Sequence, residues 1–180
     1  MEIRPATVED ATGIMLVRTR GWQEGYAGLL PPKFLENMSI TPTPRLKAAL
    51  SHPEPDCHDF VAVNDEGETV AWAKVGPFRT SQDSPEVDRD MGGELYVICV
   101  RQPYWGSGTA SKMMQVALQP LAEADLHPIR LWVFRDNYRA RAFYEKLGFV
   151  FDGTEDVFSI PSYGIEVPEV RYTLDTSSAA

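Results

Sequence analysis

The stretch from Glu94 to Leu121 constrains this chain more than any other. It begins Glu94-Leu-Tyr-Val-Ile-Cys-Val100, rich in β-branched and aromatic side chains, which predicts a buried strand. Pro103 has no N–H to extend a ladder, so the strand ends before it. Gly106 and Gly108 let backbone amides turn inward with no Cβ in the way. Beyond them Ala110, Met113, Met114, Ala117, Leu118 and Leu121 recur at helical spacing and make one apolar face. Pro120 falls inside that pattern and predicts a kink or a re-formed last turn. A strand, a glycine turn and a helix N-terminus together favour an anion, because free amides point outward and the helix dipole adds positive potential. The sequence predicts a phosphorylated ligand here.

Two common glycine loops do not fit. A P-loop needs a lysine after its second glycine, and none stands at that spacing. A dinucleotide fingerprint needs Gly-x-Gly-x-x-Gly, and Ser111 occupies the third glycine position. A second segment, Leu131-Trp-Val-Phe-Arg-Asp-Asn137-Tyr-Arg-Ala140-Arg-Ala-Phe143-Tyr144-Glu-Lys-Leu-Gly148-Phe149, reads as a strand followed by a helix. Asp136 or Asn137 caps that helix, Ala140, Phe143, Tyr144 and Leu147 form its buried stripe, and Gly148 ends it. Trp105-Gly-Ser-Gly108-Thr-Ala110 resembles the pyrophosphate loop, Gln/Arg-x-x-Gly-x-Gly/Ala, of the Gcn5-related N-acetyltransferases (GNAT), with Trp105 at the Gln/Arg position. The second segment resembles that family's other signature, an Asn and then a helix ending Phe-Tyr-x-x-x-Gly-Phe.

The resemblance implies a mixed α/β fold of about seven strands, mostly antiparallel and twisted, with a splayed central parallel pair and about four flanking helices. It implies acetyl-CoA as co-substrate, wedged between the splayed strands and laid along the unpaired edge near Ile98, Cys99 and Val100. It places the pyrophosphate on the loop Trp105, Gly106, Ser107, Gly108, Thr109 and Ala110, and adds Asn137 and Ala140 to the cofactor contacts. Asn137 is thereby expected both to cap its helix and to bind the pantetheine region. Tyr144 matches the family's general acid to the CoA sulfur. A thiol near pKa 8.5 and a phenol near 10 make full proton transfer uphill by about 2 kcal/mol. A hydrogen bond that strengthens as the carbon–sulfur bond breaks serves equally well.

The acceptor amine must lose a proton before it attacks, since an alkyl amine titrates near about 10.4. Glu94 stands six residues before Val100, where similar members carry a glutamate acting as base through water; its alternative is a solvated strand-start residue. It shares a strand face with Tyr96 and Ile98. Glu24 is a second candidate. Trp22 and Tyr26, beside Gly25 and Gly28, either wall the acceptor pocket or pack the core. Cys99 in an apolar strand reads as a small buried residue rather than an acetyl carrier, so transfer is direct.

At 180 residues, with 43% hydrophobic and 24% charged residues, the chain fits one globular domain, read as 1–175 with a frayed tail at 176–180. A net charge of −9 opposes nucleic-acid binding and favours a cationic partner. Two cysteines, Cys57 and Cys99, make no disulfide framework, so a reducing cytoplasm is the expectation. No signal peptide or long apolar run predicts a membrane span. His52, His58 and His127 lack metal-ligand spacing, and no metal is expected. Homodimerisation through the last strands is common among similar proteins.

The rest of the chain reads as a first strand at Glu2–Pro5, a capping box at Thr7–Asp10 opening a helix, and a further helix within 33–50 interrupted at Pro42 and Pro44. A hairpin follows, 59–64 with 69–75, then an acidic connecting loop, 76–93, holding Asp83, Glu86, Asp88 and Asp90. The last strands are expected at 149–159 and 169–174, with Pro161–Pro168 as the turn between them. The functional reading is an acetyl-CoA-dependent N-acetyltransferase acting on a small cationic amine. Acetylation of a protein N-terminus or lysine is the second enzyme reading, and a non-catalytic acetyl-CoA-binding regulatory domain is the reading from another class.

Overall fold

The strand expected at 94–100 spans Gly93–Val100 (β4) and lies in the middle of a seven-stranded sheet. A computed structural model describes residues 1–81 and 86–175; Asp83 and the tail expected at 176–180 lie outside the described residues. The other strands are β1 (Glu2–Pro5), β2 (His58–Val63), β3 (Thr69–Pro77), β5 (Ile129–Phe134), β6 (Val150–Ile160) and β7 (Ile165–Leu174). Their spatial order is β1-β2-β3-β4-β5-β7-β6. Every neighbouring pair is antiparallel except β4 with β5.

That parallel pair is short. It joins Gly93 to Ile129, Glu94 to Arg130 and Leu95 to Leu131, and then the strands part. β3 continues to pair with β4 as far as Val100. From Tyr96 onward β4 therefore turns one backbone edge toward a gap instead of a strand. The splay implied by the family resemblance is present.

Among the described residues five α-helices flank the sheet: α1 (Ala11–Gly25), α2 (Pro32–Glu36), α3 (Pro44–Ser51), α4 (Thr109–Glu123) and α5 (Tyr138–Lys146). The single interrupted helix expected in 33–50 is two helices. Pro44 occupies the first turn of α3, where a missing N–H costs nothing, and Thr43 Oγ1 accepts from Leu46 N at 3.1 Å. Asp10 closes the expected capping box, accepting from Thr7 N at 2.8 Å while Arg4 clamps it from the other side. α4 runs on through Pro120. Met113, Met114, Ala117 and Leu121 of α4 are almost fully buried against Ala71, Ala73 and Val75 of β3. Burying each large apolar side chain there contributes about 1.5–3 kcal/mol. On the opposite face Ile14 and Val17 of α1 pack on Val61, Trp72 and Cys99. Among the described residues no helix is long and apolar enough to cross a membrane.

The last strand starts earlier than its sequence suggested. Only residues 161–164 form the turn, and β7 begins at Ile165 and includes Pro168. Pro168 turns its carbonyl toward Arg135 N, at 2.9 Å, just past Phe134, the last residue of β5. Its missing N–H falls where no neighbouring strand waits for a donor, so proline is tolerated there.

Candidate active site

A cavity of 1270 Å³ follows the gap between β4 and β5. Pockets for one drug-sized ligand run to about 300–1,000 Å³, so there is room here for two. Ile98, Cys99 and Val100 line its middle.

At one end sits the glycine loop. Gly106 and Gly108 have φ of 75° and 86°, and a Cβ built on either would meet nothing within 4 Å. It is the left-handed backbone, and an open approach to it, that requires glycine. Gly108 is the residue before α4, whose first amides have no helical partner. Gly106, Gly108, Ala110 and Ser111 line the cavity. Ser107 and Thr109, expected as cofactor contacts, do not. Their hydroxyls lie 2.8 Å apart, and Ser107 Oγ donates to Tyr104 O at 2.6 Å, so their side chains brace the loop from within.

Trp105 lines the cavity as well. Its indole N–H donates to Val100 O at 2.8 Å, which fastens the loop to the end of β4. Its ring face carries the guanidinium of Arg139, centred 3.4 Å from the ring centroid. Arg139 lines the cavity, and no carboxylate among the described residues forms an ion pair with it. A cation stacked on tryptophan therefore stands where the loop pattern calls for Gln or Arg. Sequence reading missed Arg139 because the stack joins the loop before α4 to the first turn of α5.

Asn137 and Tyr144 come from α5. Asn137 Oδ1 accepts from Ala140 N at 3.2 Å and caps the helix, leaving the carboxamide nitrogen of a cavity-lining side chain to donate. Tyr144 is buried among Phe143, Phe149 and the core, lines the cavity, and its hydroxyl makes no hydrogen bond to any described residue. A core tyrosine held by a carbonyl would show such a bond. Burial, reinforced by Cys99, holds the Tyr144 phenol well above the ordinary range. The Cys99 thiol is itself pushed up to about 12 by burial. So protonated a thiol is a poor nucleophile.

Another part of the cavity wall is aromatic and acidic. Trp22 packs edge-on to Tyr26 at 5.1 Å, Tyr26 lies 4.7 Å from Phe134, and Phe158 closes against both Trp22 and Phe134. Two buried carboxyls, Glu94 and Glu169, line this part. Glu94 is engaged by Arg79: Nη2 donates to Oε1 at 2.5 Å, and Nε and the backbone N donate to Oε2 at 3.2 and 2.9 Å. Arg79 lies over the ring of Tyr96, on the face the strand alternation predicted for Glu94 and Tyr96. Glu169 is the residue the sequence reading passed over; burial first, then Asp156 and Glu94, raise its carboxyl to about 7. Its one sequence signal is an isolated acid before Val170, Tyr172 and their buried run. Glu24, expected beside the substrate, does not line the cavity; its Oε2 accepts from Gln102 N at 3.0 Å. Among the described residues no three His, Cys, Asp or Glu side chains gather as a metal site.

Comparison with known proteins agrees with this geometry. The chain is 26% identical, over 99% of its own length and 95% of the relative's, to a probable N-acetyltransferase of Mycobacterium tuberculosis. It is 32% identical to a spermine/spermidine N(1)-acetyltransferase of Bacillus subtilis, over 56% of this chain and 66% of that one. A mycothiol acetyltransferase of Paenarthrobacter aurescens is 36% identical over 51% of this chain, which spans 27% of that protein's length. The fold superimposes on a PaiA N-acetyltransferase of Thermoplasma acidophilum, solved in complex with coenzyme A, with a TM-score of 0.71 at 17% identity, covering 96% of this chain and 98% of that one. The sequence pattern of the acetyltransferase (GNAT) family matches residues 22–149, which takes in the last four residues of α1, the splayed strands, the glycine loop and α5. The chain belongs to the acetyltransferase (GNAT) family.

Proposed function

We propose that this acetyltransferase moves the acetyl group of acetyl-CoA directly to a primary amine of a small cationic acceptor. The observation that carries the reading is one continuous cavity lined by open amides at the glycine loop, by a buried phenol with no hydrogen bond to any described residue, and by aromatic and acidic side chains. The residues fit acetyl-CoA, because a Cβ at Gly106 or Gly108 would project into the open approach and the backbone edge of β4 has no strand beside it. Acetyl-CoA would supply the activated thioester. The amides of the loop and the N-terminus of α4 hold its pyrophosphate, and Ile98, Cys99 and Val100 offer the strand edge to the pantetheine arm. The Tyr144 hydroxyl donates to the departing sulfur. The ring faces of Trp22, Tyr26, Phe134 and Phe158 attract an alkylammonium group, as do Glu94 and Glu169. The named polyamine acetyltransferase among the relatives supports an acceptor of this kind.

Release of CoA thiol is the test, with acetyl-CoA offered against polyamines, amino acids, aminoglycosides and short peptides. Turnover strongest on polyamines is the expected result. Tight acetyl-CoA binding with no turnover on any amine would instead favour a binding domain, and turnover on peptides alone would favour a protein acceptor. Arg139 gives a separate check. Arg139→Ala is expected to raise the KM for acetyl-CoA about tenfold, equivalent to about 1.4 kcal/mol, with little change in kcat or melting temperature. An unchanged KM would remove Arg139 from the phosphate contacts.

A further inference from the structure

Glu169 is a carboxyl that the packing of the fold does not call for. It sits on β7 with 3% of its surface exposed, and it lines the amine end of the cavity. Its cross-strand neighbours are Phe134 on β5 and Asp156 on β6. Like charges directly opposite one another weaken a sheet, and a buried carboxylate among aromatic rings is disfavoured again by desolvation. A break with local rules at a cavity wall is where function is expected to override stability. The other buried carboxyl of this chamber, Glu94, is ion-paired with the Arg79 guanidinium and also accepts from the Arg79 backbone N–H.

We propose that Glu169 is the catalytic base, accepting the proton of the acceptor's ammonium group; this rests on the function proposed above. The N–H bond breaks toward a Glu169 carboxylate oxygen, leaving a neutral amine and a neutral carboxyl. The amine nitrogen then bonds to the acetyl carbon as the carbon–sulfur bond breaks. The second proton lost by nitrogen reaches the sulfur beside Tyr144, and Glu169 returns its own proton to solvent. One amide, one thiol and one released proton account for every atom. The same side chain, while ionised, attracts the cationic acceptor into the chamber.

The charges around Glu169 suit this task. Asp156 from β6 and Glu94 from β4 disfavour its ionised form, Arg79 after β3 favours it, and Tyr26 at the end of α1 also faces it. With burial as the largest influence the carboxyl titrates near 7. A base with that affinity is about half ionised at neutral pH and holds a proton far better than an ordinary carboxylate, which is the compromise general-base catalysis needs.

The experiment is the pH dependence of kcat/KM for spermidine at saturating acetyl-CoA, in the wild type, Glu169→Gln and Asp156→Asn. The wild type should rise with unit slope to about pH 7 and then stay level until the amine itself titrates near about 10.4. Glu169→Gln should fall about 10²- to 10³-fold at pH 7 and rise with unit slope through that pH, with no plateau, because only amine already deprotonated in solution reacts. Asp156→Asn should keep the plateau and move the break to lower pH. Glu169→Gln should also melt no lower than the wild type at pH 8, since a costly buried charge is gone. A break retained near pH 7 in Glu169→Gln, or unmoved in Asp156→Asn, would overturn the assignment while leaving the acetyltransferase reading intact. A wild type without turnover on any amine would overturn both.

Discussion

Tyr144→Phe is expected to lower kcat by about 10²- to 10⁴-fold, the usual range for removing a positioned proton donor, while acetyl-CoA binding stays nearly unchanged. The substitution deletes one oxygen that has no hydrogen-bond partner among the described residues, so none of them is orphaned and the ring keeps its packing against Phe143 and Phe149. A fold effect would be small for the same reason. Burial raises the phenol above its ordinary value, which makes complete proton transfer to a free thiolate harder than in water. The hydroxyl therefore acts chiefly as a hydrogen-bond donor to charge that develops on sulfur, and a donor that strengthens in the transition state changes kcat more than KM. Steady-state kinetics with a calorimetric Kd for acetyl-CoA separates the two. A mutant of equal kcat would remove Tyr144 from the chemistry.

Arg79→Ala is expected to cost about 3–5 kcal/mol of stability, and a chain of this length has only about 5–15 kcal/mol in all. Glu94 is 1% exposed, and Arg79 supplies all three of the hydrogen bonds its carboxylate receives here. Arg79→Ala keeps the backbone N–H bond to Oε2 but removes both guanidinium hydrogen bonds and the positive charge, so the carboxylate is left desolvated without its counter-charge. Chemical denaturation at pH 7 measures the loss, and Arg79→Ala/Glu94→Ala should recover much of it because the stranded charge is removed with its partner. A single mutant within about 1 kcal/mol of wild type would contradict this account of Glu94. The pair also bears on Glu169: Arg79 lowers its pKa, so losing Arg79 should move the activity break to higher pH.

Glu169 has the opposite linkage from a salt-bridged acid. Its folded pKa is raised, so the native state binds more protons than the unfolded chain between about 4.5 and about 7. Stability present below that window is lost as pH rises through it. Removing the charge therefore helps the fold at pH 8 and changes little at pH 4, which is why a loss of activity in Glu169→Gln would not be a loss of structure.

The parts of this molecule that could be read from sequence are those whose signals are local. β4, the glycine loop and α4 announce themselves through a β-branched run, two glycines and an apolar stripe, and α5 through Asn137 and Gly148 at its ends. The start of β7 could not be read, because Pro168 argues against a strand until one knows that β5 has ended beside it. The division of 33–50 turned on Pro44, which breaks a helix inside it and begins one at its first turn. Site residues followed the same line. The positions of Gly106, Gly108, Asn137 and Tyr144 in the cavity wall follow from their own segments. The Trp105–Arg139 stack, the Glu94–Arg79 clamp and the seat of Glu169 arise only when distant segments meet. Glu24 follows the same line: its proximity in sequence to Trp22 and Tyr26 said nothing of Gln102, whose N–H it accepts.

Direct transfer within one cavity is tested most directly by initial rates with both substrates varied, followed by intact mass of the protein after acetyl-CoA alone. Direct transfer predicts intersecting double-reciprocal lines and an unmodified chain. Parallel lines, with an acetyl group found on Cys99, would contradict it and show that the protein carries the acetyl group before the amine arrives.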